Sequence, residues 1–115
     1  EEEAVETALN KGGLTSVEEY YLYHGSEVYS VVIGPDKDGE KQVLWIPKDK
    51  RDSIKKVKMS LGTTRDEVLR KVKAEHSPYK ILSAKLGMKE DSPIWEITIK
   101  DQYDNLQYIN YDFLK

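Results

Sequence analysis

Cysteine is absent from this 115-residue sequence, and that one absence excludes a disulfide scaffold, a thiolate-ligated zinc site and a thiol nucleophile together. Long hydrophobic runs are absent too. Nothing approaches the roughly 18 to 20 apolar residues that a bilayer-spanning helix needs. Neither sign of charge dominates: 18 Lys and Arg stand against 21 Asp and Glu, and a net charge of -3 excludes a chain that holds nucleic acid as a polycation. The G-x-S-x-G elbow, the P-loop, G-x-G-x-x-G and H-E-x-x-H are all missing. Histidine is scarce. His24 precedes Gly25-Ser26 where a strand is expected to turn, and His76 stands near a helix end. Neither has a neighbour in sequence with which to ligate a metal or relay a proton. The residues therefore call for no catalytic centre, no metal and no cofactor.

What is present is 38% hydrophobic and 34% charged residues, the balance of a folded globular chain large enough for one compact unit or two small ones. The first residue is Glu and the pattern is helical from the start, so the expectation is a processed or excised part of a longer chain, removal of a signal peptide or membrane anchor being one route to it.

An internal repeat organises the rest. The stretch VYSVVI-GPDKDG-VLW, beginning at Val28, matches IWEITI-KDQYDN-INY, beginning at Ile94, at an offset of 66. Aromatic residues coincide at Tyr29/Trp95 and Trp45/Tyr111, and β-branched ones at Val31/Ile97, Ile33/Ile99 and Val43/Ile109. Trp95, Ile97 and Ile99 alternate with Glu96, Thr98 and Lys100, the period of a strand with one buried face. Asp38-Gly39 and Asp104-Asn105 tolerate positive φ and predict antiparallel hairpins. An earlier strand precedes each hairpin, over residues 17–23 and 79–86, with Gly25 and Gly87 allowing the reversal. Asp36-Lys37-Asp38-Gly39-Glu40 has the composition of part of a calcium loop. It lacks the flanking helices and the twelve-residue span, so a hairpin turn is the expectation.

A helix opens each copy. Thr64-Arg65-Asp66-Glu67 has capping-box spacing and leads into the stripe Val68, Leu69 and Val72, with Pro78 limiting the far end. Glu1, Glu2 and Glu3 suit a helix N-terminus, Ala4, Val5, Ala8 and Leu9 continue it, and Gly12-Gly13 stops it. The expected fold is α+β, with two tandem units, each one helix packed on a three-stranded antiparallel sheet. Residues 1–47 form the first unit and 64–115 the second. Residues 48–63 form a basic linker, in which 56–61 alternate as a strand does, a helical turn being the other option.

Charge divides by segment. Residues 1–47 carry 3 basic and 10 acidic side chains, residues 48–73 carry 10 and 4, and residues 74–115 carry 5 and 7. Lys48, Lys50, Arg51, Lys55, Lys56 and Lys58 in the basic stretch are the candidates for contact with an anionic membrane or wall-polymer surface, against the plainer reading of a solvated linker. Among the aromatics, Tyr29, Trp45, Trp95, Tyr111 and Phe113 fall on the repeated face and read as core. Tyr20, Tyr23, Tyr103 and Tyr108 do not, and they are the candidate partner-binding residues, cross-strand pairing being the alternative.

The tandem units, the hairpins VYSVVIGPDKDG and IWEITIKDQYDN, the closing strands VLWIP and QYINYDF, and W-x-I-x-[IV]-x-D at Trp95 to Asp101 resemble the extracytoplasmic region of the TseB-like (formerly YpmB-like) cell wall elongation regulators of Gram-positive bacteria. The resemblance implies that the two tandem units are cystatin-like (PepSY-like), in a noncatalytic protein on the outer face of the cell membrane, held by an N-terminal helix absent from this chain. It also implies binding to a penicillin-binding protein; a small sheet with a helix on one face leaves its other face and its edges free, so docking of sheet-surface aromatics or edge pairing is the expected mode. No catalytic or cofactor residue carries over. The alternative, from the PepSY side of the resemblance, is inhibition or modulation of a peptidase.

Overall fold

The acidic start of the chain forms helix α1 (Glu2–Asn10), which leads into four strands: β1 (Glu19–His24), β2 (Val28–Pro35), β3 (Lys41–Pro47) and β4 (Lys55–Lys58). A 3-10 turn over Met59–Leu61 follows β4. The structure is a computed structural model and describes residues 2–49, 53–77 and 80–115. Strands β1 to β4 form one antiparallel sheet in sequence order. Ala4 and Ala8 of α1 are buried with Leu14, Val32, Leu44 and Ile46, and Val17, Tyr20 and Ile54 pack at the rim of that cluster. Val5 is half-buried and Leu9 is exposed, so α1 rests on the sheet through its alanines. Small side chains let the helix lie close. The same closeness explains Gly12, where a Cβ would stand 2.2 Å from Cδ2 of Leu44.

Chain order continues with helix α2 (Arg65–His76) and strands β5 (Lys80–Lys89), β6 (Ser92–Lys100) and β7 (Leu106–Asp112), which form a second antiparallel sheet in the order β5-β6-β7. Both halves of the expected capping box are present, Glu67 N to Thr64 Oγ1 at 3.1 Å and Thr64 N to Glu67 Oε1 at 3.2 Å. Val68 and Val72 of α2 are fully buried, and Leu69 is half-buried. Tyr111 on β7 donates to Glu75 Oε1 of α2 at 2.6 Å, which ties the helix to the face carrying Trp95, Ile97, Ile109 and Tyr111. Trp95 donates its indole N–H to the carbonyl of Thr63 at 2.9 Å, and its ring packs at 6.4 Å from that of Phe113.

By its internal contacts the chain divides into Glu1–Leu61 and Gly62–Lys115. The expected α+β class holds, with two α-helices and two antiparallel sheets among the described residues, but the first sheet has four strands and not three. Lys55–Lys58, taken in sequence as linker, pair with Trp45 to Gln42, so the first unit runs to Leu61. The edge of β3 offers unpaired N–H and C=O groups, and a nearby segment with period-2 alternation satisfies them. The β5–β6 reversal is not at Gly87, which pairs with Ile94 inside the ladder, but at Glu90 and Asp91, both with positive φ. Pro78 and Tyr79 lie outside the described residues.

The largest correction concerns register. Asp36 Oδ1 accepts from the backbone N–H of Asp38 (2.9 Å) and of Glu40 (3.0 Å), and Asp101 Oδ1 accepts in the same way from Tyr103 (2.8 Å) and Asn105 (2.9 Å). Gly39 and Asp104 hold the matching positive-φ position. The two hairpins thus correspond at an offset of 65, with the helix-side residues Val32, Leu44 and Ile46 answering to Ile97, Ile109 and Tyr111. The offset of 66 read from sequence pairs Val31 with Ile97 and Trp45 with Tyr111, which point to opposite faces relative to their helices. Successive strand residues face opposite ways, so a slip of one exchanges the faces. The slip was invisible in sequence because Val31, Val32 and Ile33, like Val43, Leu44, Trp45 and Ile46, are all buried, and a strand apolar on both faces matches its counterpart in either register.

Candidate binding surface

Of the four tyrosines singled out from sequence, two are strongly exposed and two are not. Tyr103 (76% exposed) sits in the β6–β7 loop and Tyr108 (62%) on β7. Leu106 (53%), two residues before Tyr108 and on the same face, completes an apolar group at the hairpin end of the second sheet. Cross-strand from Leu106 and Tyr108 lie Lys100 and Thr98, so the group has a polar margin. Tyr20 is half-buried at the rim of the α1 cluster, where with Leu22 and Lys48 it lines a small cleft of about 140 Å³. Tyr23 is buried at 6% exposure opposite Tyr29, and its ring belongs to the packed face and is not presented outward. Leu106 was missed in sequence, although Leu106 and Tyr108 share a parity opposite to that of Ile109 and Tyr111.

The loop that carries Tyr103 is rigidly built. The Asp101 carboxylate takes two backbone N–H groups through Oδ1, and Oδ2 accepts from the Asn105 side-chain amide at 3.1 Å. These bonds hold the Asp101 pKa below the ordinary carboxylate value, the backbone N–H of Asn105 contributing most and its side chain next. Lys100 closes the loop by pairing with Asp104 at 2.9 Å. The Asp36 loop is its counterpart. There Oδ2 accepts from the buried amide of Gln42 at 2.8 Å, the principal cause of a lowered Asp36 pKa. The acidic run at Asp36 thus spends its carboxylate on the turn itself, as the hairpin reading expects.

The basic candidates are spread. Lys48 is exposed after β3, and Lys55, Lys56 and Lys58 are exposed along β4, the edge strand of the first sheet. Lys50 and Arg51 lie outside the described residues. Register places Lys56 and Lys58 on the helix side of that sheet and Lys55 on the other. Lysines on an edge strand also oppose further strand addition. His24 and His76 are both exposed, at the end of β1 and in the last turn of α2.

Between α2 and β7 runs a groove of about 630 Å³, lined by Thr63, Glu67 and Lys71 on one side and Asn110, Tyr111 and Asp112 on the other. Lys115 pairs with Glu67 at its rim at 3.6 Å. The Tyr111 phenol in this wall is pushed up to about 12, by burial first and by the Glu75 carboxylate second.

Comparison with known proteins gives this surface its context. Residues 3–47 match the family model of the cell wall elongation regulator TseB-like domain. Over 113 residues the chain is 29% identical to the probable cell wall elongation regulator TseB of Bacillus subtilis (strain 168), covering 96% of this chain and 70% of that one. A solved structure of the YpmB protein from Bacillus subtilis superposes with a TM-score of 0.85 at 28% identity, covering 98% of this chain and 89% of that one. The chain is TseB-like. The similarity is to cell wall elongation regulators, as the hairpins and closing strands led one to expect. Both names, that of the domain model and that of the relative, are names of regulators.

Proposed function

We propose that this chain is a noncatalytic binding module on the extracytoplasmic face of the cell membrane, which regulates cell wall elongation by binding a penicillin-binding protein of the transpeptidase class. In this reading its two units are copies of one cystatin-like fold, and an N-terminal anchor outside this sequence holds it at the membrane. The observation that carries the reading is the similarity over 96% of the chain to a probable cell wall elongation regulator. The surface supports it: Tyr103, Leu106 and Tyr108 put aromatic and aliphatic area into solvent at one end of a sheet. Burying such area against a partner is worth about 25 cal/mol per Å². Tyrosine is also a favoured interface anchor, because it buries much surface for little lost freedom.

The test is retention of a membrane-free penicillin-binding transpeptidase by the immobilised chain. Binding is expected at low salt, and the pair Tyr103→Ala and Tyr108→Ala is expected to weaken it at least tenfold, about 1.4 kcal/mol, with unchanged circular dichroism. Absence of retention at low salt by the unaltered chain overturns the reading. Lys48, Lys55, Lys56 and Lys58 add a second contact in this scheme, with anionic lipid heads or wall polymer. Vesicle binding that ignores ionic strength would count against that contact.

A further inference from the structure

The two sheets differ at one edge. In the first, the bonds Asp36 N to Glu40 O and Lys48 N to Val28 O set the phase of the β2–β3 ladder, so that Lys41, Val43, Trp45 and Pro47 turn their backbone away from β2. Strand β4 uses that edge, with Val57 opposite Val43 and Lys55 opposite Trp45. In the second sheet, Asp101 N to Asn105 O and Phe113 N to Pro93 O set the same phase, and Leu106, Tyr108, Asn110 and Asp112 turn their backbone away from β6. At the offset of 65 these are the counterparts of the four β3 residues. No strand among the described residues pairs with them. Only the far end of the edge is closed, where Gly62 bridges Leu114 and Thr63 N donates to Phe113 O. The α2 groove lies alongside.

Charge differs in parallel. Lys56, on β4 opposite Leu44, acts favourably on Asp36. Asp101 holds the matching place in the second loop, where no strand among the described residues brings a lysine to the position of Lys56 and where Lys100 pairs with Asp104. We propose that the β7 edge and the groove beside it take an extended, lysine-bearing protein segment as a fourth antiparallel strand, in the place that β4 fills on β3. An apolar residue of the segment lies opposite Tyr108, as Val57 does opposite Val43. Its lysine lies opposite Ile109, as Lys56 does opposite Leu44, and faces Asp101. Main-chain bonds supply the affinity, and the alternating side chains supply the choice of segment. The proposal rests on the reading of the chain as a protein-binding module and names the edge, whichever protein brings the segment.

The probe is a peptide with the sequence of residues 53–60, Ser-Ile-Lys-Lys-Val-Lys-Met-Ser, added in trans to the full chain and followed by amide NMR shifts and fluorescence anisotropy. Saturable binding with the largest shifts at residues 106–112 is expected. Asn110→Pro removes an N–H that its own sheet does not use, and is expected to keep the circular dichroism while weakening binding at least tenfold, whereas Asn110→Ala keeps the affinity. A peptide with its three lysines changed to glutamate is expected to bind at least tenfold more weakly. That comparison decides if Asn110→Pro itself fails to fold. No saturable binding at millimolar peptide overturns the proposal, as do shifts centred on residues 43 and 45, which mean exchange with β4. Equal affinity of Asn110→Pro and Asn110→Ala also overturns it. So does concentration-dependent broadening of residues 106–112 without peptide, which gives the edge to a second copy. Transpeptidase retention that survives Asn110→Pro keeps the proposed function and removes only this edge.

Discussion

At the scale of single residues, two glycines are fixed by what would collide with a side chain. A Cβ on Gly34 would stand 2.1 Å from the backbone oxygen of Ser16, and one on Gly62 2.1 Å from Cζ of Phe113. Backbone yields less easily than a ring. Gly34→Ala is therefore expected to destabilise by about 1–3 kcal/mol, read as a lower urea midpoint with an unchanged slope, the ordinary cost of overpacking a tight site. Tyr111 supplies a second residue-level test. Its folded pKa of about 12 lies above the ordinary tyrosine value of 10.0, so the neutral phenol stabilises the fold fully below pH 10 and that contribution is lost as pH rises through about 12. Phenolate absorbance is expected to show one tyrosine ionising late, and Glu75→Gln to move it earlier without bringing it to 10.0, because burial is the larger cause. Neither glycine's collision nor the Tyr111–Glu75 bond, 36 residues apart in sequence, was legible without the fold.

At the scale of elements, the sequence spoke clearly wherever the signal is local. The capping box at Thr64, the strand alternation in β6 and the hairpin turns at Asp36 and Asp101 each depend on residues within a few positions of one another, and each stands in the structure as read. Thr64→Ala is expected to cost about 1 kcal/mol, seen as a lower melting temperature and faster amide exchange in the first turn of α2. Asp101→Ala is expected to loosen the loop that presents Tyr103, raising amide exchange at Tyr103 and Asn105 while leaving the Asp36 loop unchanged. Elements held by distant partners read poorly. Strand β4 is four residues long and mostly lysine, a weak strand by composition, and it exists because β3 has an edge to fill.

At the scale of the whole molecule, the acid side of the stability profile follows from three carboxylates. Asp36, Glu67 and Asp101 all have lowered pKa values, caused mainly by the Gln42 amide, the Thr64 backbone N–H and the Asn105 backbone N–H respectively. A lowered folded pKa contributes stability above the unfolded value, and that contribution is lost as pH falls through the folded one. Denaturant midpoints are therefore expected to hold from neutrality down to about pH 4 and to fall below it. Asp101→Asn together with Asp36→Asn is expected to flatten that fall. The candidate surface divides along the same line as the fold. Tyr103 and Tyr108 are exposed, as aromatics left outside the periodic core should be, whereas Tyr23 is buried and Leu106 was passed over, because exposure depends on which face a neighbouring element covers. By itself the sequence determined the α+β class, the helix start at Thr64 and both hairpin loops, since these rest on interactions between near neighbours. Only the tertiary structure decided the offset of 65, the recruitment of β4 and the open edge of β7. Strands such as β2 and β3, buried on both faces, leave register to be chosen by the partner strand and the covering helix.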